Sequence, residues 1–315
     1  MNKLKVTLTL TKRLKVYLLG LPVMRISLKQ LNVFTAIAQE KTMTKAAERL
    51  FITKPAVSLS LSELEKNLGY KVFDRVNNRL VLNSEGRQLL PLADELLERA
   101  EAIEHQFTAD SQLTGSLNIG ASDTIGNHIA PILLSQFQQQ HPCDIQQLFI
   151  SNTAQIINRL LEFQLDIGLV EGKAHHPKLN MIEWQSDDMY IVCAPSHPLA
   201  TKSHVTLDDL EHSTWLLREE GSGSREYFIN HIAANLSDWH ESLQLHTTEA
   251  IINCCSENMG LACISQLAAQ HAIDDGRLIK LPYEKTLSRQ YWLLVHKEKY
   301  QTPLLQYFMN FIQQK

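Results

Sequence analysis

The segment from Met43 to Glu65 most constrains what this chain can fold into. Its spacing of apolar residues predicts a helix over Thr44–Leu50, a tight turn, and a second helix. The second helix opens at Thr53, a favoured N-cap residue, and Pro55 falls in its first turn, where a missing N–H costs little. Small residues at the crossing let the two helices approach closely, so the segment is typical of a helix-turn-helix.

The second helix would present a cation and short hydroxyls, which suit a DNA groove: phosphate contacts position a protein there and polar side chains read base edges. The alternative is an ordinary helical hairpin within a core. A wing favours DNA, because Lys71–Arg75 and Arg79–Leu82 are short extended pieces around two asparagines, which tolerate positive φ. Alone, the wing would be a solvated hairpin tip. The predicted DNA-contacting residues are Thr44, Thr53, Lys54, Pro55, Ser58, Ser60, Ser62, Arg75, Asn78 and Arg79.

The charge distribution supports a nucleic-acid partner. The chain of 315 residues has a formal net charge of −4, but residues 1–23 carry +5, residues 24–86 carry +4, and residues 87–315 carry −13. A basic module on an acidic body fits a polyanion-binding domain joined to a part that should not bind polyanions. The length predicts two or three domains.

Other site types find no support in the sequence. The five cysteines form no CxxC pair, which indicates free thiols in a reducing cytoplasm, and neither they nor the histidines have metal-ligand spacing. We therefore expect no catalytic residue, no metal and no cofactor. Residues 1–23 lack the uninterrupted apolar run and the cleavage site of a signal peptide, and no stretch is long enough to span a membrane. We expect residues 1–24 to be a disordered extension, or a start assigned too far upstream of Met24, in a cytoplasmic protein.

A long helix is expected from Ser84 to about Ala109. Six apolar residues recur on it at heptad spacing, and its other faces are mostly acidic. Such a two-faced helix between domains is best stabilised by pairing with its copy in a dimer, although packing against its own body is the alternative. The heptad seam consists of Leu89, Ala93, Leu96, Ala100, Ile103 and Phe107. The linker is expected at residues 111–115.

Beyond Gly115 strands and helices alternate, which predicts parallel α/β sheets. The expected strands are Leu117–Ala121, Ile145–Ile150, Asp166–Val170, Met189–Ala194, Trp215–Arg218 and Tyr291–His296. The expected helices are Ile129–Gln139, Ala154–Phe163, Arg225–Asn235, Glu249–Gly260 and Pro303–Gln313. Within this region we expect a second α/β subdomain to begin at Met189.

From about Arg25 onward the chain resembles the LysR-type transcriptional regulators. The segments that carry the resemblance are Ala46–Ser58, Leu68–Arg75, Leu82–Gly86, Asp166–Gly172 and Met259–Ser265. The resemblance implies a winged helix-turn-helix DNA-binding domain joined to an α/β two-lobed effector domain of the periplasmic-binding-protein type. It also implies promoter DNA, a small effector, RNA polymerase and further copies of the chain, as a dimer or tetramer, as partners. Leu59 and Ser60 stand where many members carry Arg or Gln, which puts direct base readout by that face in doubt.

The resemblance divides the chain into domains at 25–86 and 115–315, with the linker helix and hinge between them at 87–114. Lobe I would comprise about 115–188 and 282–315, and lobe II about 189–281. The effector would bind between the lobes, where strands end and helices begin. Hydroxyls and free N–H groups at three such points suit a small anion. The predicted effector residues are Ser122, Thr124, Asn152, Thr153, Ser222, Ser224 and Arg225.

Each of these residues, taken singly, has helix capping as its alternative role. Family members similar to this chain around Arg218–Arg225 include regulators of sulfur and carbon assimilation, so a sulfur oxyanion or a small carboxylate is the expected effector. Two other classes remain as alternatives. A periplasmic-type solute-binding protein shares the two-lobed architecture but lacks a DNA-binding head. A serine hydrolase would need a base beside the serines of Gly221–Ser224, and Arg225 is not one.

Overall fold

The structure, a computed structural model, describes residues 25–106, 115–140, 144–172 and 175–315. The expectations for residues 1–24, for Phe107 and for residues 111–114 of the linker lie outside these ranges. The chain forms two compact units, one up to Leu89 and one from Leu90 onward, each described separately below. Within the described ranges, every helix is too short or too polar to cross a bilayer.

The first unit consists of three helices followed by a β-hairpin. Its elements are α1 (Leu28–Glu40), α2 (Met43–Arg49), α3 (Lys54–Leu68), β1 (Phe73–Val76) and β2 (Arg79–Leu82). The expected turn chemistry is confirmed, because the Thr53 side chain caps α3 by accepting from the Ala56 N–H, and Pro55 occupies its first turn. Small residues allow the close crossing, since Ala46 and Ala47 on α2 are both buried.

The hairpin is the predicted wing. β1 and β2 pair antiparallel, and their connection is Asn77-Asn78, with φ values of 48° and 62°. A two-residue hairpin turn whose twist matches that of the strands requires positive φ at both central residues. The backbone N–H of Leu80 also donates to the Lys41 carbonyl at 2.8 Å, which ties the wing to the end of α1.

Helix α4 spans Ser84–Gln106 and passes through Pro91. Its heptad seam is only partly used within one chain. Ala93 is fully buried, whereas Leu96 and Ile103 are 49% and 60% exposed. Packing on its own body therefore accounts for part of the seam, and Leu96 and Ile103 face solvent in the single chain.

The second unit alternates strands and helices as expected. Its strands are β3 (Ser116–Ser122), β4 (Asp144–Ser151), β5 (Ile167–Glu171), β6 (Leu179–Cys193), β7 (Thr214–Arg218), β8 (His240–Leu245), β9 (Ala262–Ser265), β10 (Ile279–Lys280) and β11 (Ser288–His296). Its helices are α5 (Ala130–Gln140), α6 (Thr153–Leu161), α7 (Leu207–Leu210), α8 (Gly223–His231), α9 (Thr248–Ser256), α10 (Gln266–Asp274) and α11 (Pro303–Gln313).

Parallel sheets alone were the wrong expectation. β3 pairs parallel with β4 and β5, and β7 pairs parallel with β8, but β11 and β6 join the same large sheet antiparallel. The reason is that β6 serves two lobes. It is one strand of 15 residues, not one that begins at Met189: up to Asp188 it pairs with β11, and from Met189 it pairs with β9.

Each lobe has its own hydrophobic core. Lobe I buries β3, β5 and β11 against α5 and α11, around Phe137 and Phe308. Lobe II buries the second half of β6 and β7 around Trp215 and Phe228. Several helices differ from expectation at their ends: α6 ends at Leu161 and α9 at Ser256, before the expected Phe163 and Gly260. A π-helical turn at Ile125–Ile129 precedes α5, and α8 ends at His231 before a separate 3-10 turn at Ala233–Asn235.

Candidate nucleic-acid interface and effector cleft

The first unit contains a groove between its helices and its wing. The start of α2, the start of α3 and the tip of the hairpin enclose about 800 Å³. The lining residues are Thr42, Met43, Thr44, Lys45, Glu48, Lys54, Arg75, Asn77, Asn78, Arg79 and Leu80. Four of them are cations and one is a carboxylate, so the groove is basic.

Local sequence explains why the groove attracts anions. Thr42 caps α2, and its hydroxyl accepts from the Lys45 N–H at 3.3 Å. Helix N-termini carry partial positive charge, and here the starts of two helices open into the same space as the basic side chains. Because Asn77-Asn78 turns the chain sharply, Arg75 and Arg79 both lie at the wing tip, where both line the groove.

The predicted DNA-contacting residues fall into two groups. Thr44, Lys54, Arg75, Asn78 and Arg79 line the groove, as does Lys45, which the sequence analysis missed. Thr53, Pro55, Ser58 and Ser62 are instead exposed along or just before α3, and Ser60 is half-buried at the edge of its core-facing side.

An apolar side chain lies at the centre of the outer face of α3. Val57, Leu61 and Leu64 are buried on one side of the helix. With about 100° of rotation per residue, the opposite side carries Pro55, Leu59 and Ser62. Leu59 is 62% exposed there.

In the second unit, buried ions hold the two lobes together. The Arg289 guanidinium on β11 forms a double contact with one Asp187 carboxylate oxygen, at 3.1 and 2.9 Å. Nη2, which makes one of these contacts, also donates to the Thr124 hydroxyl of lobe I at 3.0 Å, and Nη1 donates to the Ser224 hydroxyl of lobe II at 2.9 Å. Glu171 lies 3.6 Å from the same guanidinium.

The electrostatics of this cluster follow from its burial. Arg289, Glu171 and Asp187 are all nearly inaccessible to water. Burial raises the pKa of Glu171, although Arg289 and Arg218 act in the opposite direction. Burial would lower the pKa of Arg289, yet the surrounding carboxylates, Glu171 first, hold it above its usual value.

A second guanidinium bridges the lobes directly. Arg218, at the end of β7, contacts the neighbouring Glu219 carboxylate at 2.8 and 3.0 Å and the Asp123 carboxylate of lobe I at 3.0 Å. The Thr248 N–H and hydroxyl at the start of α9 also donate to Asp123, at 3.1 and 2.6 Å. Despite burial, hydrogen bonds from Arg218 and Asn152 lower the pKa of Glu219.

Most of the predicted effector residues gather at this boundary. The Asn152 amide donates to Glu219 across the lobes at 3.0 Å, while its oxygen caps α6. Ser122 donates to the Glu171 carboxylate, and the Thr153 hydroxyl donates to the Glu171 carbonyl at 3.1 Å. Capping therefore accounts for only part of what these side chains do.

The loop between Glu219 and α8 brings the backbones of the two lobes into contact. The Ala154 N–H of lobe I donates to the Gly221 carbonyl of lobe II at 3.1 Å, and Gly221 has φ of 83°. A Cβ at Gly223 would lie 2.5 Å from the Glu171 carbonyl, so the approach requires glycine. Ser222 is buried in the same loop.

Arg225 is directed elsewhere. Its guanidinium forms a double ion pair with Glu241 on β8, at 2.8 Å for each contact, and donates to the Arg218 carbonyl. The Glu241 carboxylate holds the pKa of Arg225 above its usual value. The structure thus gives Arg225 a role within lobe II, and Arg218 and Arg289 are the guanidinium groups at the lobe boundary.

Seven residues that make contacts at the lobe boundary were not among the predicted ones: Asp123, Glu171, Asp187, Arg218, Glu219, Thr248 and Arg289. Arg289 and Asp187 are separated by 102 positions, and Asp123 and Thr248 by 125, so no local motif joins them. Arg289 lies between Ser288 and Gln290 at the start of β11, so its neighbours in the sequence gave no signal that it is buried. In the part of the chain that is described, no three His, Cys, Asp or Glu side chains are arranged to hold a metal ion.

Each of the two units matches a known protein family. The model for the bacterial regulatory helix-turn-helix protein, lysR family, matches residues 28–87, and the LysR substrate binding domain matches residues 110–315. The uncharacterized HTH-type transcriptional regulator YeiE of Escherichia coli K12 is 34% identical over 290 residues, which cover 91% of this chain and 97% of that protein.

Solved structures share the fold at lower identity. A full-length OxyR variant from Pseudomonas aeruginosa has a TM-score of 0.70 at 20% identity, over 93% of this chain and 95% of its own. The CcmR regulatory domain of Synechocystis PCC6803, in complex with 2-PG, has a TM-score of 0.59 at 23% identity, over 64% of this chain and 97% of its own.

Proposed function

We propose that this chain, which belongs to the LysR family of bacterial transcriptional regulators, binds promoter DNA through the groove of its first unit. A small effector that binds between its lobes controls this activity. Family membership makes it a DNA-binding regulator with an effector-binding domain. The single observation that carries the proposed DNA contact is the basic groove, in which two helix starts and the wing tip converge.

Lys45, Lys54, Arg75 and Arg79 would then hold phosphates of the duplex. Phosphate contacts supply affinity regardless of sequence and release counterions, so binding weakens steeply as salt is added. RNA polymerase and a second copy of the chain are the further partners that we propose for a promoter-bound regulator of this family.

The DNA contact is tested by replacing Arg79 with alanine. We expect Arg79→Ala to weaken binding to all duplexes alike and to reduce the slope of log affinity against log salt by about one. Fluorescence anisotropy with labelled duplexes over a salt series measures both quantities. Lys285→Ala, which removes an exposed cation from the effector domain, serves as the control and should leave the slope unchanged. A loss confined to one DNA sequence would contradict a phosphate contact.

For the effector we propose a small anion, a sulfur oxyanion or a small carboxylate. Two buried guanidinium groups, several hydroxyls and the starts of α6 and α9 meet at the lobe boundary, and such donors suit oxyanions. A domain of this fold accommodates a small molecule in the Synechocystis CcmR complex with 2-PG.

The effector proposal is tested by a thermal-shift screen of small anions on the full chain. Because a ligand that binds only the folded state raises the unfolding midpoint, an effector at the lobe boundary should stabilise the protein, and at equal concentration a tighter ligand should stabilise it more. Thr153→Ala should remove that stabilisation and leave DNA affinity near normal. Stabilisation that persists in Thr153→Ala and in Ser122→Ala would place the ligand elsewhere.

A further inference from the structure

The Asp123 carboxylate occupies a complete anion-binding arrangement supplied by the other lobe. One of its oxygens accepts two hydrogen bonds, from the Thr248 N–H and from the Thr248 hydroxyl, and forms an ion pair with the Arg218 guanidinium at 3.0 Å. A backbone N–H at a helix start, a hydroxyl and a buried guanidinium form the donor set that binds oxyanions. The other oxygen accepts from the Asn127 amide at 3.2 Å, within lobe I.

The lobe boundary already has more negative than positive groups, which disfavours the binding of an additional anion. Arg218 and Arg289 face four carboxylates, those of Asp123, Glu171, Asp187 and Glu219. When all are ionised, the cluster has two negative charges in excess. In a medium of low dielectric constant such an excess strongly repels a further anion. An anion should therefore bind only where it displaces a carboxylate.

Asp123 is the carboxylate best placed to leave. Its side chain is 14% exposed, against 2% for Glu171 and Asp187 and 10% for Glu219. Its ion pair with Arg218 crosses the lobes, whereas Glu219 is the direct chain neighbour of Arg218. Asp123 also lies two residues before the π-helical turn at Ile125–Ile129, and such turns are frequent at functional sites.

We propose that Asp123 is a built-in competitor of the effector: an oxyanion or carboxylate group of the effector takes its place on Thr248 and Arg218. This inference rests on the proposed function and assigns the chemistry of the same cleft. Ligand binding then breaks an ion pair between the lobes and replaces it with a contact to the ligand. Asp123 thereby sets both the affinity for anions and the position of lobe I when the cleft is empty.

The test compares anion binding by the full chain and by Asp123→Asn. Isothermal titration calorimetry with sodium sulfate and with sodium succinate, at constant ionic strength set by chloride, measures the affinities. We expect Asp123→Asn to bind at least one of the two anions at least tenfold more tightly than the wild type, since the charge that competes for Arg218 is gone. Asp123→Ser, which shortens the side chain, provides a second variant and should show the same direction.

Asp238→Asn is the matched control. It removes the same charge from an exposed carboxylate that pairs with His212 in lobe II, and it should bind anions as the wild type does. Unchanged or weaker affinity in both Asp123 variants, or no binding of either anion by them, would overturn the competitor role. The regulator itself would still stand if the wild-type chain binds DNA with the expected salt dependence, so the two failures are distinguishable.

Discussion

At the scale of residues, the two faces of the DNA-binding unit differ in chemistry. The groove is lined by cations, but Leu59 is at the centre of the outer face of α3. An apolar side chain makes no hydrogen bond to a base edge, yet it can contact the C5-methyl group of thymine in the major groove. We therefore propose that Leu59 contacts thymine methyl groups and contributes to the distinction between base pairs.

Removing thymine methyl groups tests this contact. On duplexes that the protein selects from a random library, replacing dT by dU should weaken wild-type binding by about 0.8 kcal/mol per contacted methyl, or about fourfold. Leu59→Ala should bind the dT and dU duplexes equally, because the contact is already lost. Fluorescence anisotropy measures both. Equal sensitivity to dU in Leu59→Ala and wild type would rule Leu59 out as the reader.

Sequence patterns predicted those residues whose partners are near in the chain. Thr53 and Pro55 were predicted because their roles are local: the Thr53 side chain accepts from the Ala56 N–H three residues away, and Pro55 lies in the first turn of the same helix. The double asparagine predicted the wing turn for the same reason. Arg289 and Asp187 were missed because 102 residues separate them and only the tertiary fold brings them together. Arg225 was predicted as an effector residue, and in the structure its guanidinium pairs with Glu241, sixteen residues away in the chain.

At the scale of elements, helix α4 combines two roles. Asp94 and Glu98, one helical turn apart, both contact the buried Lys299 amine, at 2.9 and 3.2 Å, and Asp166 contacts it at 2.8 Å. Arg99 lies over the Tyr300 ring at 4.4 Å. These contacts fix the second half of the helix to lobe I and leave Leu96 and Ile103 exposed for a partner.

The exposed seam leads to a prediction about assembly. Leu96→Glu and Ile103→Glu each place a charge on the seam and should weaken self-association at least tenfold, because a buried unpaired charge is costly at an interface. Sedimentation velocity over a concentration series measures the effect. Ala102→Glu introduces the same charge on an exposed position off the seam and should associate normally. Unchanged association in both seam variants would favour a dimer formed through other surfaces.

The Lys299 cluster predicts a pH-dependent stability. Burial raises the pKa of Glu98 from 4.5 to about 7, only partly offset by Lys299. The folded chain therefore holds this proton more tightly than the unfolded chain, so the Glu98 contribution to stability falls as pH rises from about 4.5 to about 7. Glu98→Gln should remove that loss and stabilise the protein at pH 8 by up to about 3 kcal/mol.

Urea unfolding at pH 5 and pH 8 measures the difference. Glu98→Gln should have little effect at pH 5, where the wild-type carboxyl is already protonated in the folded state. Glu104→Gln, which neutralises an exposed carboxylate on the same helix, is the control and should have little effect at either pH. An equal gain in both variants would mean that the effect arises from net charge and has nothing to do with burial.

At the scale of the whole molecule, the chain is an HTH DNA-binding unit followed by a two-lobed effector domain. This order was predictable because each unit has its own hydrophobic periodicity and its own net charge. The bounds of α11, Pro303–Gln313, were also predictable, from local pattern alone. The antiparallel joining of β6 and β11 was not predictable. It depends on one strand continuing through both lobes, and the pairing of β6 changes partner within a continuous run of residues.

We propose that this chain recognises specific DNA sequences as a symmetric assembly of its copies. Selection from a random duplex library with the full-length protein tests it most directly. We predict enrichment of an inverted repeat whose half-sites are spaced by about one helical turn or a multiple, because paired helix-turn-helix units read related half-sites. Recovered sequences no different from the starting library would contradict the claim.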